Sequence, residues 1–183
     1  TDRSVVGQVT VVPDNSGNIR YAYATDTGGN IYRIAGIGGT AEIGNTAPGS
    51  WTITKIASLG CDNATTSCTA NRKFLFGPDV VENSGVFSIL VGSGDREKPL
   101  TYYAAANAVQ NYFFRVEDQP LVASWLTNEA ANCTASVICL DSLAAVPSSG
   151  DPDPDEMSSS KGWYLELAAT EQVVTSAITV TNR

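Results

Sequence analysis

Apolar and polar positions alternate at period two through short runs, and clusters of Gly, Pro, Asn and Asp separate the runs; this is the pattern of strands and tight turns rather than of helices. Residues 4–12 are β-branched and partly alternating, 13–18 form a turn cluster, and 21–25 alternate large and small side chains. Asp26-Thr27-Gly28-Gly29-Asn30 supplies residues that tolerate positive φ, and 31–34 return as a strand, so a hairpin is predicted here. After the Gly-rich stretch 36–50, residues 51–58 read as a fourth strand. Four antiparallel strands in succession make one meander, which is also the unit of a β-propeller blade.

A second meander opens at 72–76 or 79–82, continues through the strongly apolar 86–92, and includes the alternating 112–117. Residues 93–100 make a long polar turn between the last two. The segment 121–146 carries Trp125, Leu126 and two of the cysteines, and is expected to hold one or two short helices. Residues 147–160, with Asp151, Asp153, Asp155 and Glu156 interleaved with Pro152 and Pro154, read as an acidic Pro/Ser-rich loop. Residues 162–168 and 173–180 then pair as a third hairpin. A β-branched strand left unpaired at a sheet edge is an aggregation liability, which points to a single β domain over 1–183 that is a fragment of something larger. The expected fold class is all-β: four-stranded antiparallel meanders forming a partial β-propeller of about two blades and the start of a third, with long loops.

Composition narrows the function classes. The 183 residues carry 19 Asp plus Glu against 11 Lys plus Arg, a net charge of -8, which disfavours nucleic acid as a partner. This length supports a sizeable core, burying roughly 70% of the unfolded chain's surface. With 43% hydrophobic and 16% charged residues, 16 Gly and 8 Pro, the chain has the make-up of a turn-rich globular protein. No run reaches the ~18 apolar residues of a membrane helix, and no signal peptide is evident. Histidine is absent, which removes Ser-His-Asp and Cys-His nucleophiles, His-built zinc sites and the ordinary switch near neutral pH.

The four cysteines fall into two local pairs, Cys61 with Cys68 and Cys133 with Cys139, each in a polar segment expected to be a surface loop. Local pairing closes the shortest loops, and such a staple is worth about 2 to 3 kcal/mol on the chain-entropy model. Free thiols are one alternative. A four-thiolate metal site is another, disfavoured because six and five residues separate the cysteines of each pair, where structural zinc uses two to four. Disulfides place the chain in an oxidising compartment outside the cytoplasm.

A series of blocks carries a family resemblance: Asp2-Arg3-Ser4-Val5-Val6, Val9-Thr10-Val11-Val12, and Tyr21-Ala22-Tyr23-Ala24-Thr25-Asp26-Thr27-Gly28-Gly29-Asn30-Ile31-Tyr32-Arg33-Ile34. It continues through Arg72-Lys73-Phe74, Gly77-Pro78-Asp79-Val80-Val81, Leu90-Val91-Gly92-Ser93-Gly94-Asp95-Arg96-Glu97-Lys98-Pro99-Leu100, Gly162-Trp163-Tyr164-Leu165 and Val173-Val174-Thr175-Ser176-Ala177-Ile178. In this order the blocks resemble the C-terminal β-propeller domain of PilY1-type proteins, the adhesins associated with the tip of type IV pili. The resemblance implies a non-enzymatic component of the type IV pilus system, an adhesin or an assembly and retraction factor acting in surface attachment and twitching motility. It implies a place in the periplasm, at the outer-membrane surface or at the pilus tip. The implied partners are other pilus-tip or minor pilin proteins, a host surface, and the remaining propeller blades of the parent chain. A blade takes ~40 to 50 residues, so 183 residues cannot supply the whole propeller.

Members of this family carry a calcium-binding, Asp-rich loop just before the block equivalent to residues 21–30. The corresponding candidates here are Asp14, Asn15, Ser16 and Asn18. They offer one carboxylate, two amides and a hydroxyl where calcium wants six to eight oxygens, and an Asp in an Asn-Ser-Gly turn also serves as an ordinary turn that bonds its own backbone. In the run from Asp151 to Glu156, the prolines hold the carboxylates in an extended, solvated array.

Other signals have plainer readings. The Gly92-Ser93-Gly94 turn lacks the Gly-Lys-Ser/Thr ending of a phosphate loop. Asp95 and Arg96 are expected as an ion pair or cap. Tyr102, Tyr103, Tyr112, Phe113 and Phe114 read as packing residues, with an adhesive or sugar-stacking surface as the alternative. Asn63-Ala64-Thr65 and Asn132-Cys133-Thr134 match the glycosylation pattern. The Asp26–Ile34 block also resembles the blade signature of quinoprotein dehydrogenases, so a quinoprotein-like propeller enzyme stands as an alternative function. A sugar-binding scaffold module is another.

Overall fold

The computed structural model describes residues 3–64, 68–95, 104–149 and 153–180. Two β-sheets carry it. The first is an antiparallel meander in the order β1 (Thr10–Pro13), β2 (Ile19–Thr25), β3 (Asn30–Ala35) and β4 (Thr52–Ser58). The turn between β2 and β3 is the Asp26–Gly29 segment. There Gly29 has φ +73, and a Cβ on it would strike the backbone of Gly60, so the turn accepts no larger residue without movement.

The second sheet runs β5 (Asp79–Asn83), β6 (Val86–Gly92), β7 (Tyr112–Asp118) and β9 (Gly162–Glu166), all antiparallel, with β8 (Ala144–Val146) parallel to β9 at the edge. The third hairpin expected over 162–168 and 173–180 does not form. Instead β9 closes the second sheet, with Phe114 opposite Tyr164 and Val116 opposite Gly162. The long excursion between β7 and β9 separates the partners in sequence, so local pattern joins β9 to the wrong neighbour. Residues 173–180 belong to no strand. At the other end β1 is shorter than the 4–12 run predicts: Gly7 sits against the backbone of Phe76 and Gly77, and the Ser4 carbonyl accepts the Thr27 N–H.

Alternation determines which face of each strand is buried. From β2 and β3, Tyr21, Tyr23, Ile31 and Ala35 point one way; from β6 and β7, Phe87, Ile89, Val91, Phe114 and Val116 meet them, and all are buried. Tyr21 packs edge-on to Phe87 at 5.0 Å between ring centres, and Phe74 packs edge-on to Phe114 at 5.8 Å. Each fully buried side chain of this kind contributes about 1.5–3 kcal/mol. Two of the expected packing aromatics, Tyr112 and Phe114, are in this core, while Phe113 lies on the opposite face of β7 beside Trp163. Tyr102 and Tyr103 lie outside the described residues.

The connections hold short helices, as the sequence predicts for 121–146: a 3₁₀ turn at Thr127–Glu129, α2 (Ala130–Cys133), and another 3₁₀ turn at Leu140–Ser142. α1 (Ala104–Asn107) precedes β7. The segment 147–160 is more than a loop, because α3 (Pro154–Ser159) lies within it. Asp153 caps this helix by accepting the Asp155 N–H at 2.9 Å, and Pro154 occupies the first turn, where its missing N–H costs nothing. Asp151 lies outside the described residues.

Disulfides join Cys61 to Cys68 and Cys133 to Cys139. The first closes a loop in which Asp62 and Asn63 are exposed while Cys61 is buried. In the second, read from its polar neighbours as another surface loop, Thr134, Ala135 and Ser136 are exposed, while Val137, Ile138 and both cysteines are enclosed. The reason is a fifth, parallel attachment to the edge of the first sheet, where Ile138 donates to the Ile56 carbonyl at 2.9 Å and accepts from the Ser58 N–H at 2.8 Å. The paired double substitution Cys133→Ser/Cys139→Ser is therefore expected to lower unfolding stability by about 2–3 kcal/mol. It is also expected to speed exchange of the Ser58 amide, measured by denaturant unfolding and hydrogen exchange. Cys61→Ser/Cys68→Ser is expected to leave that amide unchanged.

Candidate functional site

The residues singled out for chemistry sit in turns at the strand ends. Asp14 follows β1. Its Oδ1 accepts the N–H groups of Ser16 and Asn18, both at 2.8 Å, and its Oδ2 accepts the Asn18 side-chain amide at 3.1 Å. These bonds, the one from the Asn18 side chain first, hold the Asp14 carboxyl below its ordinary value. The arrangement is an Asx turn closing the β1–β2 hairpin. Both carboxylate oxygens are committed to N–H donors, and no group of three or more acidic or thiol ligands gathers among the described residues.

Asp26 repeats the construction under cover. Its Oδ1 accepts from the backbone N–H of Gly28 at 2.8 Å and of Asn30 at 3.0 Å, and its Oδ2 accepts the Tyr32 hydroxyl at 2.9 Å. The block that carries the family resemblance most strongly thus specifies a turn whose polar groups are satisfied internally.

The largest buried charge lies between the sheets. Arg33, inward on β3, meets Asp118, the last residue of β7, with N–O distances of 2.6 and 2.8 Å. A second guanidinium nitrogen donates to the Gly39 carbonyl at 2.8 Å, and the Tyr23 hydroxyl donates to Asp118 Oδ2 at 2.9 Å. Burial pushes the Asp118 carboxyl above its ordinary value, and Arg33 and the Tyr23 hydroxyl pull against that shift. Burial likewise drives the Tyr23 phenol well above its usual range, reinforced by the Asp118 charge. Nothing in the sequence pattern flagged this pair. The only available signal was an Arg and an Asp at positions where alternation demands apolar residues.

Arg72 is the second interior cation. It donates to the Gln110 carbonyl at 2.8 Å and to the Leu59 carbonyl at 3.1 Å, pairs with Asp62, and lies over the Tyr112 ring at 4.4 Å. It thereby ties the Cys61–Cys68 loop to the second sheet. Asp95, read with Arg96 as an ion pair or cap, pairs with Lys73 at 2.6 Å, and its backbone N–H donates to the Gln172 side chain; Arg96 lies outside the described residues. Open clefts flank these groups, one beside Lys73 and Asp95, another beside Arg72 and the first disulfide. Asn63 and Asn132 are both exposed. No helix of the described residues is long and apolar enough to cross a membrane.

A four-stranded antiparallel meander packed face to face on a second sheet, itself four antiparallel strands with a short parallel strand added at the edge, fits adjacent blades of a propeller-type β protein. Among solved structures, the chain is similar to the crystal structure of the Pseudomonas aeruginosa PilY1 C-terminal domain, with a TM-score of 0.60 at 18% identity. The match covers 93% of this chain and 41% of that one, so the chain spans about two fifths of its length. The shared fold agrees with the PilY1-type resemblance read from the sequence blocks. No family model and no curated protein matches the sequence.

Two expectations follow from this geometry. Asp14 is expected to titrate below 3.8, so that its turn contributes stability above the ordinary carboxylate value and loses it as pH falls through the lowered one. Carboxyl NMR shifts against pH read this directly, and calcium at about 1 mM, the weak end of extracellular sites, is expected to leave the Asn18 amide resonance in place. Separately, Asp118→Ala leaves Arg33 buried without a counter-charge and is expected to cost about 3–5 kcal/mol in chemical denaturation. The double variant Arg33→Met/Asp118→Leu is expected to recover most of that loss.

Proposed function

We propose that this chain is a structural, non-enzymatic part of a type IV pilus component that acts outside the cytoplasm, at the pilus tip or in pilus assembly and retraction. The observation that carries the reading is the likeness in fold to the PilY1 C-terminal domain over 93% of the chain. The two disulfides support an oxidising compartment. The interior charges support a scaffold: Arg33, Asp118 and Arg72 are engaged with one another, with backbone carbonyls and with a loop carboxylate. In this role the two sheets present turns, the Cys61–Cys68 loop and outward sheet faces to other pilus-tip or minor pilin proteins or to a surface.

Deletion of the gene is expected to reduce surface piliation or attachment while pilin synthesis continues, scored by electron microscopy, adhesion counts and immunoblotting of pilin. Unchanged piliation and attachment would contradict the proposal. So would a quinone absorbance band in the purified protein, which would move the chain to the propeller dehydrogenases.

A further inference from the structure

We propose that the cleft formed by the turn after β3 and the loop after β7 binds a neutral sugar unit, the kind of ring that a surface glycan presents. The cleft holds about 300 Å³, within the range of small-ligand sites. Both sheets build it: Gly39, Thr40 and Thr54 come from the first, and Gln119, Trp125 and Thr127 from the segment that leaves β7.

Its polar lining is uncommitted. The hydroxyls of Thr40, Thr54, Thr127 and Ser136 and the Gln119 carboxamide hydrogen-bond to no protein group among the described residues. Each hydroxyl both donates and accepts, as does the carboxamide, so the array matches a ligand whose own polar groups are hydroxyls. Arg33 is the one ionisable side chain among the described residues of the lining, and its charge is already met by Asp118 at 2.6 Å while another nitrogen donates to the Gly39 carbonyl at 2.8 Å. An anionic ligand finds no free counter-charge here, and a cationic one no carboxylate.

The remainder of the lining is apolar, chiefly Pro120, Val122, Trp125 and Leu126. A sugar ring is amphipathic in the same sense, with hydroxyls at its rim and C–H groups on its faces, and the C–H face packs on aromatic and aliphatic side chains. These walls are held before any ligand arrives. Trp125 Nε1 donates to the Glu117 carbonyl at 3.0 Å, and the Lys161 ammonium lies 3.5 Å from the centre of the indole. Two successive turns fix the loop, the Val122 N–H donating to Gln119 at 3.0 Å and the Trp125 N–H to Val122 at 2.9 Å. Gly39 has φ +77, and a Cβ on it would stand 3.1 Å from the Thr54 hydroxyl oxygen, so glycine here leaves that hydroxyl uncovered. A site fixed in this way loses little conformational freedom on binding. The inference rests on the cleft alone and stands whether or not the pilus role is right; under that role, it names the chemistry of the surface to which the chain attaches.

The test follows the amide and indole NMR signals of the protein during separate titrations with glucose, galactose, mannose and N-acetylglucosamine, and with glucuronic acid as the anionic comparison. Each is taken to about 50 mM, well above the Kd of about 1 mM expected for a single ring. At least one neutral sugar is expected to shift the Trp125 indole signal and the Gly39 and Thr40 amides saturably, with the indoles of Trp51 and Trp163 staying in place. Thr54→Val and Ser136→Ala each remove one hydroxyl and are expected to weaken that binding about five-fold at an unchanged Tm. No shift with any neutral sugar would overturn the proposal, as would undiminished affinity in both variants. Stronger binding of glucuronic acid would overturn it too, and so would larger shifts of the same signals by a Ser/Thr-rich peptide, since the cleft would then be a peptide site.

Discussion

The whole architecture depends on one constraint: each sheet carries apolar side chains on both faces and cannot bury both by itself. A two-layer sandwich would show water a polar face on each sheet. Here the first sheet turns Tyr21, Tyr23, Ile31 and Ala35 inward, and its opposite face carries Val11, Ala22, Ile34 and Ile53 in register across all four strands. Val11 and Ile53 at the ends of that row are 51% and 68% exposed. Stacking in series, face upon face, is how such sheets are satisfied, and it explains why the second sheet follows the first in sequence and covers it so fully.

Within that stack, polar groups set the alignment. Arg33 and Asp118 bridge the two sheets at a point where any slip by one residue would turn both charges outward. A buried ion pair of this kind need not add net stability over a well-packed apolar pair, but it makes misaligned pairings expensive. Arg72 performs a similar task at the other end, fixing the segment that passes from one sheet to the next by donating to the Leu59 and Gln110 carbonyls. The pair Cys133–Cys139 holds a short strand-like stretch on the β4 edge, so that this edge is covered rather than left open.

Much of the sheet structure was legible because it is local. The alternation in 21–25, 31–34, 86–92 and 112–117 marks strands whose partners lie one turn away, or one long turn away for β6 and β7. The Asp26–Asn30 turn was legible for the same reason, since Asp, Gly and Asn declare their backbone geometry. What escaped was non-local. The partner of β9 lies beyond two short helices, two 3₁₀ turns and β8, and the burial of Cys133–Cys139 depends on Ile56 and Ser58 in the other sheet. Asp14 was legible as the start of a turn because Asn, Ser and Gly follow it, and its hydrogen bonds to Ser16 and Asn18 form that turn. Arg33 and Asp118 could not be paired from sequence because 85 residues separate them.

The face-to-face packing of the two sheets is most directly tested by nuclear Overhauser contacts in solution between side chains of β2 and β6. Contacts from the Tyr21 and Tyr23 rings to the ring of Phe87 are predicted, since their centres lie 5.0 and 6.0 Å apart. Strand contacts within each sheet without any between these rings would mean that the sheets do not stack, and would contradict the account.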